Sequence, residues 1–304
     1  MLEINGAVAV ITGASGGIGE ELAKYWVSQG GKVVLADISG VGLSRVAAEI
    51  KALGGQVATC PGDVTREADC ARLADRAMEK FGQINLGAPC AGIIKDSLLL
   101  APDRTTGKVT KKMTLEQFQA VIDINLTGVF LTVRECAERM INHHCRGLIC
   151  LFSSTGSLGT AGQINYASAK AAMSVMPKVI TAEFFRRGLA DRIRCVAIAP
   201  GYVATPMVKG MNQEALEKIM TQVAIGRLIE PAEVASLIGE LFRNEAIAGD
   251  TFFIQAGCAW VQKDKGMRKD AGYNPGPPGN KGSAAVAGIT RRPALTEANK
   301  STNL

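Results

Sequence analysis

The chain has 304 residues, enough for one large domain or two small ones, and 47% of it is apolar, an ordinary share for a globular core. Its formal charge is +6, but eight basic and only three acidic residues fall between Lys263 and Leu304, so the rest is nearly neutral and the charge says little about a substrate. The two histidines, His143 and His144, are adjacent and the eight cysteines form no CxxC pair, which argues against a histidine metal site, a Ser-His-Asp triad or a zinc centre; no metal is expected, and the thiols read as buried and reduced.

The first predicted strand, 7–12, begins almost at Met1, which leaves no room for a cleavable signal. No apolar run approaches the roughly 18 residues of a membrane span, so a cytoplasmic protein with no membrane contact is expected. Thr12-Gly13-Ala14-Ser15-Gly16-Gly17-Ile18-Gly19 follows that strand and opens a helix over 17–29. Glycines there permit a tight turn and let backbone N–H groups approach a pyrophosphate. Asp37 ends the next strand, 32–36. A carboxylate at that place binds ribose hydroxyls and repels a 2′-phosphate, which points to NAD rather than NADP; the competing reading is a helix N-cap.

Further helices are predicted at 41–53, 66–81, 114–143, 164–187 and 231–243, with strands at 56–60, 83–88, 147–152, 193–198 and 250–255. Continuous apolar strands alternating with helices indicate a seven-stranded parallel sheet covered on both faces. The fold class is therefore α/β, a single doubly wound domain over 1–262. Two stretches break the rhythm. Residues 94–113 read as a polar insertion, and 206–228 as an apolar lid carrying Met207, Val208, Met211, Leu216, Ile219 and Met220. From Lys263 to Leu304, six glycines and four prolines predict a disordered basic tail, solvated rather than bound to nucleic acid or lipid.

Tyr166 and Lys170, four apart in a helix, share one face. A phenol is a poor acid-base catalyst at neutral pH unless an ammonium beside it favours the phenolate. Ser153 and Ser154, at the end of the apolar run Leu148–Phe152, offer a hydroxyl for a substrate oxygen. Alternate strand residues face opposite ways, so one of them serves, and Ser154 is favoured.

Thr12-Gly13-x-x-x-Gly17-x-Gly19, Asp63-Val64, Ala91-Gly92, Asn125, the serines, Tyr166-x-x-x-Lys170 and Pro200-Gly201 resemble, in order and spacing, the short-chain dehydrogenase/reductase family over about residues 6–257. The resemblance implies a Rossmann-type domain and a nicotinamide cofactor, with Tyr166 as general acid/base and Lys170 binding the nicotinamide ribose. It also implies that Asn125 kinks its helix and holds a relay water, and that Asp63 contacts the adenine. Pro200, Gly201, Val203 and Thr205 would position the carboxamide. Three departures stand out: Pro89-Cys90 where the family has two asparagines, Gln255-Ala256-Gly257 where it has Asp-Gly-Gly, and the serine register.

Within the family, the 94–113 insertion, Asn125-Leu126-Thr127-Gly128 and Gly162-Gln163-Ile164-Asn165-Tyr166 are most similar to 3-oxoacyl-carrier-protein reductases and short-chain 3-hydroxyacyl-CoA dehydrogenases. An oxidoreductase acting on a 3-hydroxyacyl or 3-oxoacyl thioester is expected. The alternatives are a catalytically weak nucleotide-binding protein and an NADP-linked reductase. A homotetramer is also expected, assembled through helices 114–143 and 164–187, with Leu131, Val133, Cys136, Ala172, Met173 and Met176 as its apolar contact surface.

Overall fold

β1 (Val8–Thr12) is buried along its whole length because it lies mid-sheet, with side chains reaching both faces. Ala9 and Ile11 enter one core, Val8 and Val10 the other. The structure, a computed structural model, describes residues 1–257 apart from Asn212 and Gln222. The tail expected from Lys263 onward lies outside the described residues.

After β1 come α1 (Gly17–Ser28), β2 (Lys32–Ala36), α2 (Gly40–Ala52), β3 (Gln56–Thr59), α3 (Glu67–Phe81) and β4 (Leu86–Pro89). A hairpin, β5 (Leu100–Pro102) and β6 (Val109–Lys112), precedes α4 (Leu115–Ile122) and α5 (Gly128–Asn142). Then follow β7 (Gly147–Phe152), α6 (Ile164–Arg186), β8 (Ile193–Pro200), α7 (Pro206–Lys209), α8 (Gln213–Met220), α9 (Pro231–Arg243) and β9 (Thr251–Ile254). The seven sheet strands run parallel in the order β3-β2-β1-β4-β7-β8-β9, the doubly wound fold the sequence predicts. The order reverses between β1 and β4, so a crevice opens at their carboxyl ends. The α1, α2 and α9 helices cover one face, where Trp26 meets Phe242 edge-to-face at 4.8 Å and donates its indole N–H to Ala7 O. The other face carries α3, α5 and α6.

Three expectations need correction. Residues 94–113 are not a plain polar insertion but carry the β5–β6 hairpin. The helix read over 114–143 as one element is interrupted by a π-helical turn at Asp123–Thr127, around Asn125, where the family resemblance implies a kink. The side chains assigned to a subunit contact face inward instead: Val133, Cys136 and Met173 belong to the second core, Ala172 and Met176 pack against it, and Leu131 is buried. The exposed large apolar side chains over 114–143 and 164–187 are Leu115, Phe130, Ile164, Val175, Val179 and Phe185.

The backbones approach closely where β7 starts beside β4. A Cβ on Gly147 would lie 2.0 Å from Asn85 O, so β7 starts hard against the β4 backbone. The Asn85 amide accepts from Val8 N and donates to Arg146 O, tying three strands together. Pro89 is the last residue of β4, and the pairing with β7 ends at Gly87, so its missing N–H removes no bond from that ladder.

Candidate active site

Tyr166 lies in the first turn of α6, with Lys170 one turn on. Lys170 is 7% exposed, its Nζ donating to Phe152 O at 2.7 Å and lying 5.5 Å from the Tyr166 ring centroid. Burial pulls its pKa down to about 8, with the Cys90 thiol opposing. Burial also raises the Tyr166 phenol; the hydrogen bond with Ser154 lowers it and the Asp96 charge raises it further. The expectation that an ammonium beside it brings the phenol down therefore needs amending, since the first cause here is burial and its direction is up.

The two serines part as strand alternation requires. Ser153 is 4% exposed and bonds Lys170 O at 2.8 Å and Ser174 Oγ at 2.7 Å, so it braces α6 against β7. Ser154 faces the phenol and accepts from Gly156 N at 3.0 Å. Asn125, fully buried in the π turn, spends both amide atoms on Ile93, accepting its N–H at 2.8 Å and donating to its carbonyl at 2.9 Å. The Asn125 side chain is thus committed to the β4–α4 connection.

Asn165 was not singled out as a site residue in the sequence. It is fully buried; its Oδ1 accepts Tyr166 N and its Nδ2 donates to Lys95 O and Gln117 O. A polar residue inside the helix start, directly before Tyr166, was the available signal. Two more bonds fasten the same segment: Ser97 N to Gly162 O, and Gln163 Nε2 to Asp96 Oδ2.

At the other end of the crevice the Gly-rich turn is shaped by close approach. A Cβ on Gly13 would meet Ala91 Cα at 2.8 Å, and one on Gly19 would meet Gly13 O at 2.4 Å. Ala91 N donates to Thr12 Oγ1, so the backbone there stays anchored despite Pro89-Cys90. No side chain caps α1, whereas Ser39 caps α2 and Thr114 with Gln117 forms a capping box on α4. A Cβ on Gly16 would meet nothing within 4 Å. Open space before uncapped helical N–H groups suits a dinucleotide pyrophosphate.

Asp37 is not the α2 cap. Its Oδ2 accepts Ser15 N at 3.1 Å and its Oδ1 accepts Ser39 N at 2.9 Å. Arg45, another residue the sequence reading passed over, donates to Ser15 O at 3.0 Å and pairs with Glu20 and Glu49. Asp63 Oδ1 accepts the N–H and hydroxyl of Thr65, and Val64 packs against Gly128. Ile18 packs on the first core and Gly92 lies beside the Asn125 amide. Past Pro200, Gly201 N bonds Ile254 O, Val203 bridges Ile229, and Thr205 caps α7 with its methyl near Gly17. The expected lid is thereby two short helices, α7 and α8, beginning at the Gly-rich turn.

Comparison with known proteins agrees with the fold. The short chain dehydrogenase family profile matches residues 7–216. A 3-oxoacyl-[acyl-carrier-protein] reductase of Synechocystis is 34% identical over 84% of this chain and 98% of its own length. A (3R)-3-hydroxyacyl-CoA dehydrogenase of Canis lupus familiaris is 29% identical over 78% of this chain and 89% of its own. Among solved structures, a short-chain dehydrogenase/reductase (glucose/ribitol dehydrogenase) from Brucella melitensis superimposes with a TM-score of 0.73 at 28% identity, over 84% of this chain and 98% of that one.

Proposed function

The chain belongs to the short-chain dehydrogenase/reductase family and is an oxidoreductase, and from that premise we propose that residues 1–262 transfer a hydride between NAD(H) and a 3-hydroxyacyl or 3-oxoacyl thioester. The observation that carries this reading is the Ser154–Tyr166–Lys170 cluster at the crevice, with a phenol whose pKa burial raises, a serine hydroxyl beside the same Gly156 that the Tyr166 ring approaches, and a buried ammonium 5.5 Å from that ring. The thioester is supported by the names of the relatives, and NAD by the two-sided seating of Asp37.

A nicotinamide dinucleotide supplies or accepts the hydride. Gly13, Ser15, Gly17, Ile18 and Gly19 would hold its pyrophosphate, Asp37 its adenosine ribose, and Asp63, Val64, Ala91 and Gly92 its adenine end. Pro200, Gly201, Val203 and Thr205 would line the carboxamide end. In reduction, Ser154 donates to the substrate oxygen and Tyr166 gives that oxygen its phenolic proton. The phenolate that results is stabilised by Ser154 and the nearby ammonium; Lys170 has N–H groups to spare for a ribose hydroxyl. In oxidation the same phenolate takes the proton back. Asn125 and Asn165 set the positions of the 93–95 backbone and of Tyr166. We place the enzyme in the cytoplasm as a homotetramer whose contacts include Phe130, Val175 and Val179; a monomer by light scattering would refute the assembly.

The test is NADH oxidation with acetoacetyl thioesters, in wild type and in Tyr166→Phe. Turnover by the wild type and a loss of at least about 100-fold in the variant are expected. Full activity of the variant would remove Tyr166 from the chemistry, and failure of the wild type on every thioester would remove the substrate class.

A further inference from the structure

The β5–β6 hairpin is firmly built and covers nothing. Asp103 Oδ1 accepts the N–H groups of Thr105 and Thr106, Asp103 N donates to Lys108 O, and Gly107 takes the left-handed conformation with φ +67°. All of β6 is exposed, as are Leu100 and Pro102 of β5. A two-stranded ribbon wet on both faces has little stability of its own. Its order is set at its base, where Lys95, Asp96 and Ser97 are bonded to Asn165, Gln163 and Gly162. That base is the segment leading into Tyr166, so the ribbon rises from the rim of the active site.

Its charge is one-sided. Residues 94–113 hold five cations, Lys95, Arg104, Lys108, Lys111 and Lys112, against Asp96 and Asp103. Both acids are used locally, Asp96 by Gln163 and Asp103 by the turn. None of the five cations forms an ion pair among the described residues, whereas Arg134 and Arg139 on α5 are each paired with carboxylates. Beside them Leu98, Leu99, Leu100 and Val109 are each more than half exposed. Apolar side chains bordered by unpaired charge make the pattern of a protein-docking patch.

The charge also narrows the occupant. A second copy docked symmetrically would set these cations against themselves. The chain's own residues 263–304 are basic as well. The partner is therefore anionic, and an open ribbon with four exposed aliphatic side chains suits a protein surface better than a free nucleotide. We propose that the hairpin is the docking surface for a small acidic protein that delivers the acyl group as a thioester. This rests on the proposed function.

The test compares wild type with the triple variant Lys108→Glu, Lys111→Glu, Lys112→Glu, and with Leu99→Ser. Binding is read as the Kd for a bacterial acyl carrier protein, which needs no turnover. Kinetics are read with acetoacetyl thioesters of that carrier, of coenzyme A and of N-acetylcysteamine, the last being uncharged. The charge reversal should raise the carrier Kd and KM at least about tenfold and leave the N-acetylcysteamine reaction within about twofold. Leu99→Ser should weaken carrier binding too, and added salt should reduce the wild-type advantage. Unchanged carrier binding in the triple variant would overturn the proposal. So would a loss confined to the coenzyme A thioester, which assigns the ribbon to a nucleotide. A charge-dependent association with phosphatidylglycerol vesicles but not with the carrier would equally overturn it, in favour of a lipid surface. Carrier binding lost by the variant, with no thioester turned over by wild type, would uphold the surface and sink the substrate class instead.

Discussion

Replacing Lys170 by methionine should make the protein more stable while abolishing its activity. The ammonium is 7% exposed, and burial lowers its pKa from 10.5 to about 8. At about 1.36 kcal/mol per unit, holding that charge inside costs about 3 kcal/mol at neutral pH. Methionine follows the same unbranched path without the charge, and the lost bond to Phe152 O returns about 1 kcal/mol of that gain. The net is about 2 kcal/mol, or an increase in Tm of about 4–8 °C for a domain of this size.

The pH dependence carries the sharper test. Below the folded pKa of about 8 both folded and unfolded chains hold the proton, so the folded state bears the whole penalty. Between about 8 and 10.5 the folded chain has released it and the unfolded chain has not, so wild-type stability rises with pH through that window. Lys170→Met lacks this slope. Urea unfolding at one fixed protein concentration should show a gap of about 2 kcal/mol near pH 7 that falls below about 1 kcal/mol near pH 9.5. A destabilised variant at pH 7, or a gap unchanged by pH, would refute the reasoning.

Other outcomes follow from single features. Wild type should prefer NADH to NADPH by about 30- to 150-fold in kcat/KM, and Asp37→Ser with Ile38→Arg should narrow or reverse this, since Ile38 is 78% exposed and a guanidinium matches a phosphate. Equal initial values would show that Asp37 only organises the loops around Ser15 and Ser39. Arg194 is buried and donates to the carbonyls of Leu241, Phe242, Asn244 and Ile247, so Arg194→Met should lose at least about 3 kcal/mol of stability by urea titration. Ala256 holds φ +54°, a conformation that glycine adopts without strain, so Ala256→Gly should raise the urea midpoint by about 0.5–1 kcal/mol equivalent; a lower midpoint would rule out strain there.

The seven sheet strands were legible because strands covered on both faces must be apolar throughout, as Leu148–Phe152 is. The hairpin was not, because neither of its faces is buried and no alternation marks it. The break in the long helix was legible only through the family resemblance, which implies a kink at Asn125; periodicity did not show it. Asp123–Thr127 has an ordinary helical pattern, and its π turn surrounds an asparagine bonded to Ile93, far back in the chain. Spacing placed Tyr166 and Lys170, but surroundings decide what they do: Phe152 O takes the ammonium, and burial raises the phenol. Periodicity told that α5 and α6 have an apolar face; it did not tell that this face meets the sheet, and so a subunit contact was read from core residues.

A dinucleotide held at the bare start of α1 would tie the protein's lifetime to the supply of that dinucleotide. No side chain caps the first turn of α1, and a Cβ on Gly16 would meet nothing within 4 Å. A ligand at about a hundred times its Kd adds about 2.7 kcal/mol to the folded state. When the dinucleotide pool falls, that increment goes, and with it the margin that keeps the chain from cellular proteases. Starvation for the dinucleotide should therefore shorten the half-life of the protein in a pulse-chase experiment, while Lys170→Met, already more stable, should be cleared more slowly.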